Sequence, residues 1–364
     1  MALILVTAGC SGDPGAATPP PATTFQLPEY AWAQPRFPQI AGGRLADVAG
    51  DERGFVAVGS VIDARGVELH GLVMVSRDGL DWRLADVPGL EQVDVLDVAV
   101  GPDGFVIVGE RSPGPLLRFA ALAVSPDGVT WEAPALPDPD QRAYTFRIDR
   151  ADDRFVVIGT DLSLAGGAFE LTSADGHTWS STPQPYQRRV VPTGAGWLGI
   201  GPMTTWTTLD GAPYEADAVP PDERGRPAHE AETALPLTHG TLLVGAVEQS
   251  CGPLSSGCGL EGAAWWSADA KSWVAVPRGQ PGWPFRYPEV TMSDEGFAVA
   301  FEDGNASASA DGWRWASLVP GGAPGAGTPH ATGIAAAAGR LVVVGDTTLP
   351  DGTTVPWIAT ATTP

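Results

Sequence analysis

Apolar residues in this chain arrive in short bursts bounded by glycine. The most regular burst is Gly-aromatic-apolar-apolar-apolar-Gly, at residues 54–59 (GFVAVG), 104–109 (GFVIVG) and 154–159 (RFVVIG). It returns at 196–201, 240–245, 296–301 and 340–345, which makes seven copies recurring about every 48 residues. Bursts this short, rich in Val, Ile and aromatics and cut by Gly every few positions, predict strands rather than helices. A second pattern, Ser-x-Asp-Gly-x-x-Trp, follows at 76–82, 125–131, 173–179 and 309–315. At 267–273 Ala270 replaces its Gly, and 208–214 is a degenerate copy ending in Tyr214. Asp-Gly is a strong turn signal between strands; Asp and Ser side chains can bond the turn's backbone, and the Trp packs beneath it.

Each repeat therefore predicts four short strands, in the first repeat 45–49, 55–60, 72–76 and 82–87. A period of 40–50 residues with four strands per unit predicts a β-propeller blade. The seventh repeat supplies three strands, 333–337, 341–345 and 357–360, and ends without the turn pattern. Residues 30–38 (YAWAQPRFP) carry what is missing: Trp32 with Pro38 six residues on, as in Trp82 to Pro88 and Trp131 to Pro137. The expectation is an all-β chain forming a single seven-bladed β-propeller, four antiparallel strands per blade, closed by an N-terminal strand in the last blade. The fourth repeat, 188–228, is short and irregular, so six is the competing blade count.

Composition fits this frame. The 364 residues include 46 Gly and 35 Pro, which punctuate strands. With 43 acidic and 21 basic residues the net charge is −22, and every basic residue but Lys271 is Arg. That balance excludes nucleic-acid binding driven by phosphate neutralisation and docking of a basic patch on anionic lipid. No apolar run reaches the length of a bilayer-spanning helix.

Residues 1–6 are apolar and are followed by Thr7-Ala8-Gly9-Cys10. This resembles the end of a bacterial lipoprotein signal, in which the Cys becomes the lipidated N-terminus. Thr7 stands where an aliphatic residue is usual, and no basic residue precedes Arg36. Residues 11–27, rich in Pro, Ala and Thr, have too little apolar surface to fold. A flexible tether of about 14 residues spans roughly 20 Å. The expected organisation is a signal and lipobox in 1–10, a disordered tether in 11–27 and the propeller in 28–364. The protein is then exported and lipid-anchored at the extracytoplasmic face of the cell membrane, touching it only through the N-terminal lipid. Cys251 and Cys258 have Gly and Pro between them. An exported compartment favours a disulfide there, over a two-Cys metal site lacking further ligands. The five His show no metal-ligand spacing, and no cofactor is expected.

The Ser-x-Asp-Gly-x-x-Trp copies resemble the Asp box of bacterial neuraminidase repeats, each one residue shorter than the usual Ser-x-Asp-x-Gly-x-x-Trp. The resemblance extends over the whole chain after the tether. It implies a sialidase-like propeller in which the boxes are structural turns on the blade periphery, away from the active face. Sialidase activity would also require three Arg for a carboxylate, a Tyr nucleophile with a Glu partner, and an Asp acid/base. The family's first Arg lies in Phe/Tyr-Arg-Ile-Pro before the first box. Here the similar strings, 146–149 (FRID) and 285–288 (FRYP), fall in later repeats, and none of the five Tyr is placed as a nucleophile.

Aligning the repeats on the glycine-bounded burst exposes the innermost strand. Six residues before the burst stand Val48, Val98, Ile148, Val190, Ala234, Val290 and Ile334, all apolar. One residue earlier stand Asp47, Asp97, Arg147, Arg189, Thr233, Glu289 and Gly333. Adjacent strand residues face opposite sides. The first column is therefore expected in the core, and the charged second column around the central channel. Asp47, Asp97, Arg147, Arg189 and Glu289 are the candidate ligand-binding residues, the two Arg suited to gripping an anionic or hydroxylated group. The expected function is a monomeric binding or scaffold module for a protein or cell-envelope glycan, with no catalytic residue identified. The alternative is a sialidase-like glycoside hydrolase using the channel carboxylates.

Overall fold

The computed structural model describes residues 30–362 except 63–68, 115–116, 138–142, 152, 162–166, 185–188, 194–195, 201–205, 208–212, 215–220, 223, 227, 238, 249–259, 270–271, 279–288, 294–295, 303–304 and 319–328. The lipobox with Cys10, the tether, and the Cys251 and Cys258 pair all lie outside the described residues.

The chain opens with β1 (Ala31–Ala33) and enters a first blade of β2 (Gly43–Asp51), β3 (Gly54–Ile62), β4 (Leu69–Ser76) and β5 (Arg83–Leu84), all antiparallel. The second blade is β6 (Val93–Gly101), β7 (Gly104–Gly114) and β8 (Leu117–Ser125), with a single bridge from Val124 to Glu132 in the fourth place. The third is β9 (Ala143–Ala151), β10 (Arg154–Asp161), β11 (Gly167–Ser173) and β12 (Ser180–Gln184). The next repeat gives two separate ladders, β13 (Arg189–Thr193) with β14 (Gly196–Ile200), and β15 (Trp206–Thr207) with β16 (Pro213–Tyr214). Two four-stranded blades follow. One is β17 (Ala228–Leu237), β18 (Gly240–Glu248), β19 (Leu260–Ser267) and β20 (Val274–Ala275). The other is β21 (Glu289–Met292), β22 (Ala298–Glu302), β23 (Asn305–Ser309) and β24 (Ala316–Ser317). The last sheet is β25 (His330–Ala337), β26 (Arg340–Thr348) and β27 (Thr354–Thr362), with β1 added outside β27.

The fold is thus an all-β propeller of four-stranded antiparallel blades, but with six blades rather than the expected seven. Among the described residues the fourth repeat does not assemble one sheet. Its turn copy ends in Tyr214 after Pro213 instead of in a Trp, and its two ladders stay separate although β13 still contacts β9 and β17. Closure through the N-terminus follows the sequence expectation: Ala31, Trp32 and Ala33 pair with Thr362, Ala361 and Thr360. The same segment reaches the first blade. Arg36 N–H donates to Leu80 O at 2.6 Å, Trp82 N–H donates to Arg36 O at 2.8 Å, and Arg36 Nε meets Asp81 at 2.6 Å.

Most core clusters join one blade to a neighbour. Phe55 and Trp82 pack with Val342, Val344 and Ile358 of the last blade. Phe105 packs with Val56 and Val75 of the first. The turn motif works as its residues suggest. Asp78 Oδ1 accepts from Leu80 N (2.9 Å) and Asp81 N (3.0 Å), Ser76 Oγ donates to it (3.1 Å), and Trp82 Nε1 donates to Gly79 O (2.9 Å). The same bonds recur around Asp127 and Asp175. Backbone N–H groups of Thr178 and His177 push the Asp175 carboxyl down to about 2. Gly79 has φ +68°, and its face lies against Val342 and Thr360 of the preceding blade.

The closing Gly of the apolar burst has a different purpose. The β2–β3 register slips between Leu45 and Asp47, opposite Gly59 and Val58. It slips again between Val95 and Asp97 opposite Gly109, between Ala231 and Thr233 opposite Gly245, and between Ala331 and Gly333 opposite Gly345. In the third blade the slip spans Gly159. Each is a β-bulge, one extra residue that bends a strand and re-aims its side chains. The Gly is needed because the bulged strand's carbonyl sinks onto it. A Cβ at Gly59, Gly109 or Gly345 would overlap the carbonyl oxygen of Arg44, Asp94 or His330.

Gly109→Ala should therefore strain the second blade. Overpacking against a backbone carbonyl costs about 1–3 kcal/mol, which for a chain of this size lowers the melting temperature by several degrees, roughly 2–4 °C per kcal/mol. Tryptophan-detected thermal unfolding of the variant and the wild type checks this; equal melting temperatures would show that the β6–β7 bulge does not need a bare glycine.

Candidate functional site

The bulges aim the second sequence column inward. A cavity of about 340 Å³ is lined by the innermost strands β2, β6, β9, β17, β21 and β25, and so lies on the propeller's axis. Its polar wall is Asp47, Asp97, Arg147, Asp149, Arg150, Thr233 and Thr291, and its apolar wall includes Val48, Val98, Ile148 and Ile334. The lining runs from the middle of β2, β6 and β9 to their hairpin ends. That end also carries the Ser-x-Asp-Gly-x-x-Trp turns, because Ser76 pairs with Phe55 beside the β2–β3 hairpin.

Three of the five charged residues predicted for the channel are brought together. Asp47 Oδ2 accepts from Val98 N–H of the next blade at 3.2 Å. Asp97 repeats the move one blade on: its Oδ2 accepts from Ile148 N–H at 3.1 Å, and its Oδ1 accepts from its own neighbour Val98 N–H at 3.0 Å. Arg147 Nε stands 3.6 Å from Asp97 Oδ2. Arg189 and Glu289 open β13 and β21, with backbones paired to Ile200 and Phe301; their side chains lie outside the described ones. Of the remaining column members, Thr233 lines the cavity, and Gly333 lies where a Cβ would press on Asp47 at 2.7 Å. The ring closes there: Thr332 Oγ1 donates to Leu45 O at 2.8 Å, from the last blade to the first.

The two carboxyls are close enough to hydrogen-bond. Burial raises the Asp47 carboxyl well above the usual carboxylate range, and the Asp97 charge and the bond between the two add to this. N–H groups of Val48 and Val98 pull the other way without cancelling it. The pair therefore favours the protonated form of Asp47 more than an isolated carboxyl would. Sequence reasoning did not find Asp149 and Arg150, two and three residues beyond Arg147. Arg150 Cζ sits 5.4 Å over the Phe155 ring. A visible signal was the run Arg147-Ile-Asp-Arg150, charged at both ends, at the close of an innermost strand.

No family model matches the sequence, and no curated protein matches it significantly. Solved structures with a similar fold do exist. Pyrococcus horikoshii acylaminoacyl peptidase aligns over 84% of this chain and 49% of its own, at 11% identity and a TM-score of 0.51; the chain spans about half the length of that peptidase. Trypanosoma rangeli sialidase aligns over 88% of this chain and 55% of its own, at 10% identity and a TM-score of 0.48. A glycoside hydrolase aligns over 92% of this chain and 91% of its own, at 12% identity and a TM-score of 0.41. At these identities the likeness is one of fold.

The carboxyl pair predicts a pH dependence. Asp47 binds its proton more tightly folded than unfolded, so its contribution to stability is fully present below the ordinary carboxylate value and is lost as pH rises through the folded value. Asn at position 47 can still accept from Val98 N–H and donate to Asp97 without a proton to lose. Asp47→Asn should therefore gain melting temperature over the wild type as pH is raised from about 4 to about 8. Parallel melting curves for the two proteins across that range would show that the pair holds no such proton.

Proposed function

We propose that the protein is an exported β-propeller working as a non-catalytic binding or scaffold module for a protein or cell-envelope glycan. A lipid on Cys10 and the tether 11–27 would hold it at the extracytoplasmic face, with Cys251 and Cys258 joined as a disulfide. The turn motif is read as a shortened Asp box, and its Asp and Trp residues as structural. The observation that carries the reading is the use made of the channel carboxylates. Asp47 and Asp97 accept backbone N–H groups of the adjoining blade and bond to each other. Glycoside hydrolysis sets its two carboxyls roughly 5–9.5 Å apart, flanking the scissile bond. A pair in mutual hydrogen bond leaves no room for that bond between them. The cavity also lies at the end bearing the turn motifs, whereas the Asp-box resemblance implies an active face on the other side.

Two experiments test this. A panel of chromogenic glycosides, sialosides included, should show no turnover above the buffer rate with the purified protein; turnover abolished by Asp47→Asn would replace the reading with the hydrolase. In bacteria fed radiolabelled palmitate, the wild-type protein should carry label and sediment with membranes, and Cys10→Ala should do neither. Label retained by Cys10→Ala would remove the anchor from the proposal.

A further inference from the structure

We infer that the cleft between the first and second blades, at the end bearing the turn motifs, docks an acidic peptide segment of a partner protein through Arg77 and Arg83. This rests on the binding-module reading and gives the partner its chemistry. The cleft holds about 460 Å³, within the range of ligand sites. Its floor is the packed interface of the two blades, where Val56, Val75 and Phe105 belong to one core cluster. Arg83 faces it by register: it pairs with Val75 across β4 and β5, and residues directly opposite in a ladder share a face. Arg77 follows the last residue of β4 and lines the same wall. Val129, in the second blade's turn, lines the other side with 45% of its surface exposed.

The other charged groups of the cleft have partners. Arg53 is a clasp between the blades: its guanidinium pairs with Asp51, donates to Gly101 O and Pro102 O, and lies over the Phe105 ring. Asp81 accepts two bonds from Arg36, at 2.6 and 2.8 Å. Asp78 and Asp127 are each bound into their turns by two backbone N–H groups and a Ser hydroxyl. Arg77 and Arg83 are exposed, and neither has a hydrogen bond or ion pair among the described residues. Two guanidiniums thus share one wall of a cleft with no carboxylate of their own. In a chain of net charge −22 this surplus is local and not a general excess of Arg. A planar fork of N–H donors suits a carboxylate bidentately, and Val129 offers an apolar contact across from it. A sugar ring stacks on an open aromatic face, whereas Phe55 and Phe105 in this wall are only 2% and 1% exposed. A peptide with acidic and apolar side chains matches both features.

Fluorescence anisotropy of the full-length protein with a labelled peptide of alternating Glu and Val, and with its Gln–Val counterpart, tests this. The Glu peptide should bind with a Kd below about 1 mM, and the Gln peptide about tenfold more weakly. Arg77→Ala and Arg83→Ala should each weaken binding about fivefold, the upper range for exposed ion pairs, and the double variant more than tenfold. Raising the salt from about 0.05 M to about 0.5 M should weaken it in the same direction. Arg83→Lys, which keeps the charge and loses the fork, should fall in between. Arg111→Ala, exposed and paired with Val93 at the other end of the second blade, should leave affinity unchanged. Because Arg77 and Arg83 are exposed, their variants should melt with the wild type, which separates lost binding from lost fold. Absence of Glu-peptide binding, equal binding of the Gln peptide, affinity unmoved by the double variant, or equal loss with Arg111→Ala would overturn the inference. An oligogalacturonide binding more tightly than the peptide would overturn it in favour of an acidic glycan. Those results would leave the binding-module reading standing, since that one falls only to glycoside turnover.

Discussion

The propeller depends on a carbonyl seated on a glycine. In five blades the innermost strand carries one residue too many for its neighbour, and the surplus is absorbed where the second strand has a Gly. Without a side chain there, the inner strand's carbonyl drops onto the second strand and the following residue swings toward the axis. Asp47 and Asp97 owe their position to this. A regular ladder would keep these carboxyls on the alternating face of their own sheet; the bulge lets them reach the next blade's backbone.

That reach gives the ring a direction. At the axis each tie runs forward: Asp47 to Val98, Asp97 to Ile148, and Thr332 of the last blade to Leu45 of the first. At the periphery the ties run backward. Gly79 lies on Val342 and Thr360 of the last blade, Gly128 on Val56 of the first, and Gly176 on Val106 and Val124 of the second. Thr360 Oγ1 seals one such contact by donating to Gly79 O at 2.6 Å. A blade is thus gripped by its predecessor inside and by its successor outside. Opening any one interface breaks both kinds of tie, so a mobile sheet edge is not easily released.

Much of this was legible because the repeat multiplies each local signal. One Asp-Gly followed by Trp is a turn; several copies at constant spacing are a ring. The same alignment places Asp47, Asp97 and Arg147 in one channel. What was hidden is where the side chains end. A carboxylate beside an apolar residue on an inner strand reads as a ligand-facing group, yet its partner is an amide N–H about 51 residues on, and backbone groups leave no mark in sequence. Arg150 was hidden for another reason. It falls outside the repeat column, and its site is built by the absence of a side chain at Gly101. The buried charges around Asp222 were equally silent: Arg226 and Arg278 meet it at 2.8 and 3.1 Å, and each also pairs with Glu261, joining four residues from three separate segments.

The two irregular repeats separate what each motif contributes. In the sixth, Phe301 stands where Gly is the rule, and the β21–β22 register runs straight from Glu289 to Met292. The blade is nonetheless four-stranded, and its turn is intact: Asp311 accepts from Trp313 and Arg314 N–H groups, and Gly312 lies against Leu237 of the preceding blade. The fourth repeat departs from both patterns at its described residues. Its β13–β14 register is straight from Arg189 to Thr193, and its turn copy ends in Tyr214. It alone among the described repeats fails to join its strands into one sheet. In the sixth blade the outer turn accompanies a joined four-stranded sheet without a bulge, while in five other blades the glycine-seated bulge aims the inner strand. The bulge is dispensable for making a blade, and in the first three blades it is what turns Asp47, Asp97 and Arg147 toward one channel.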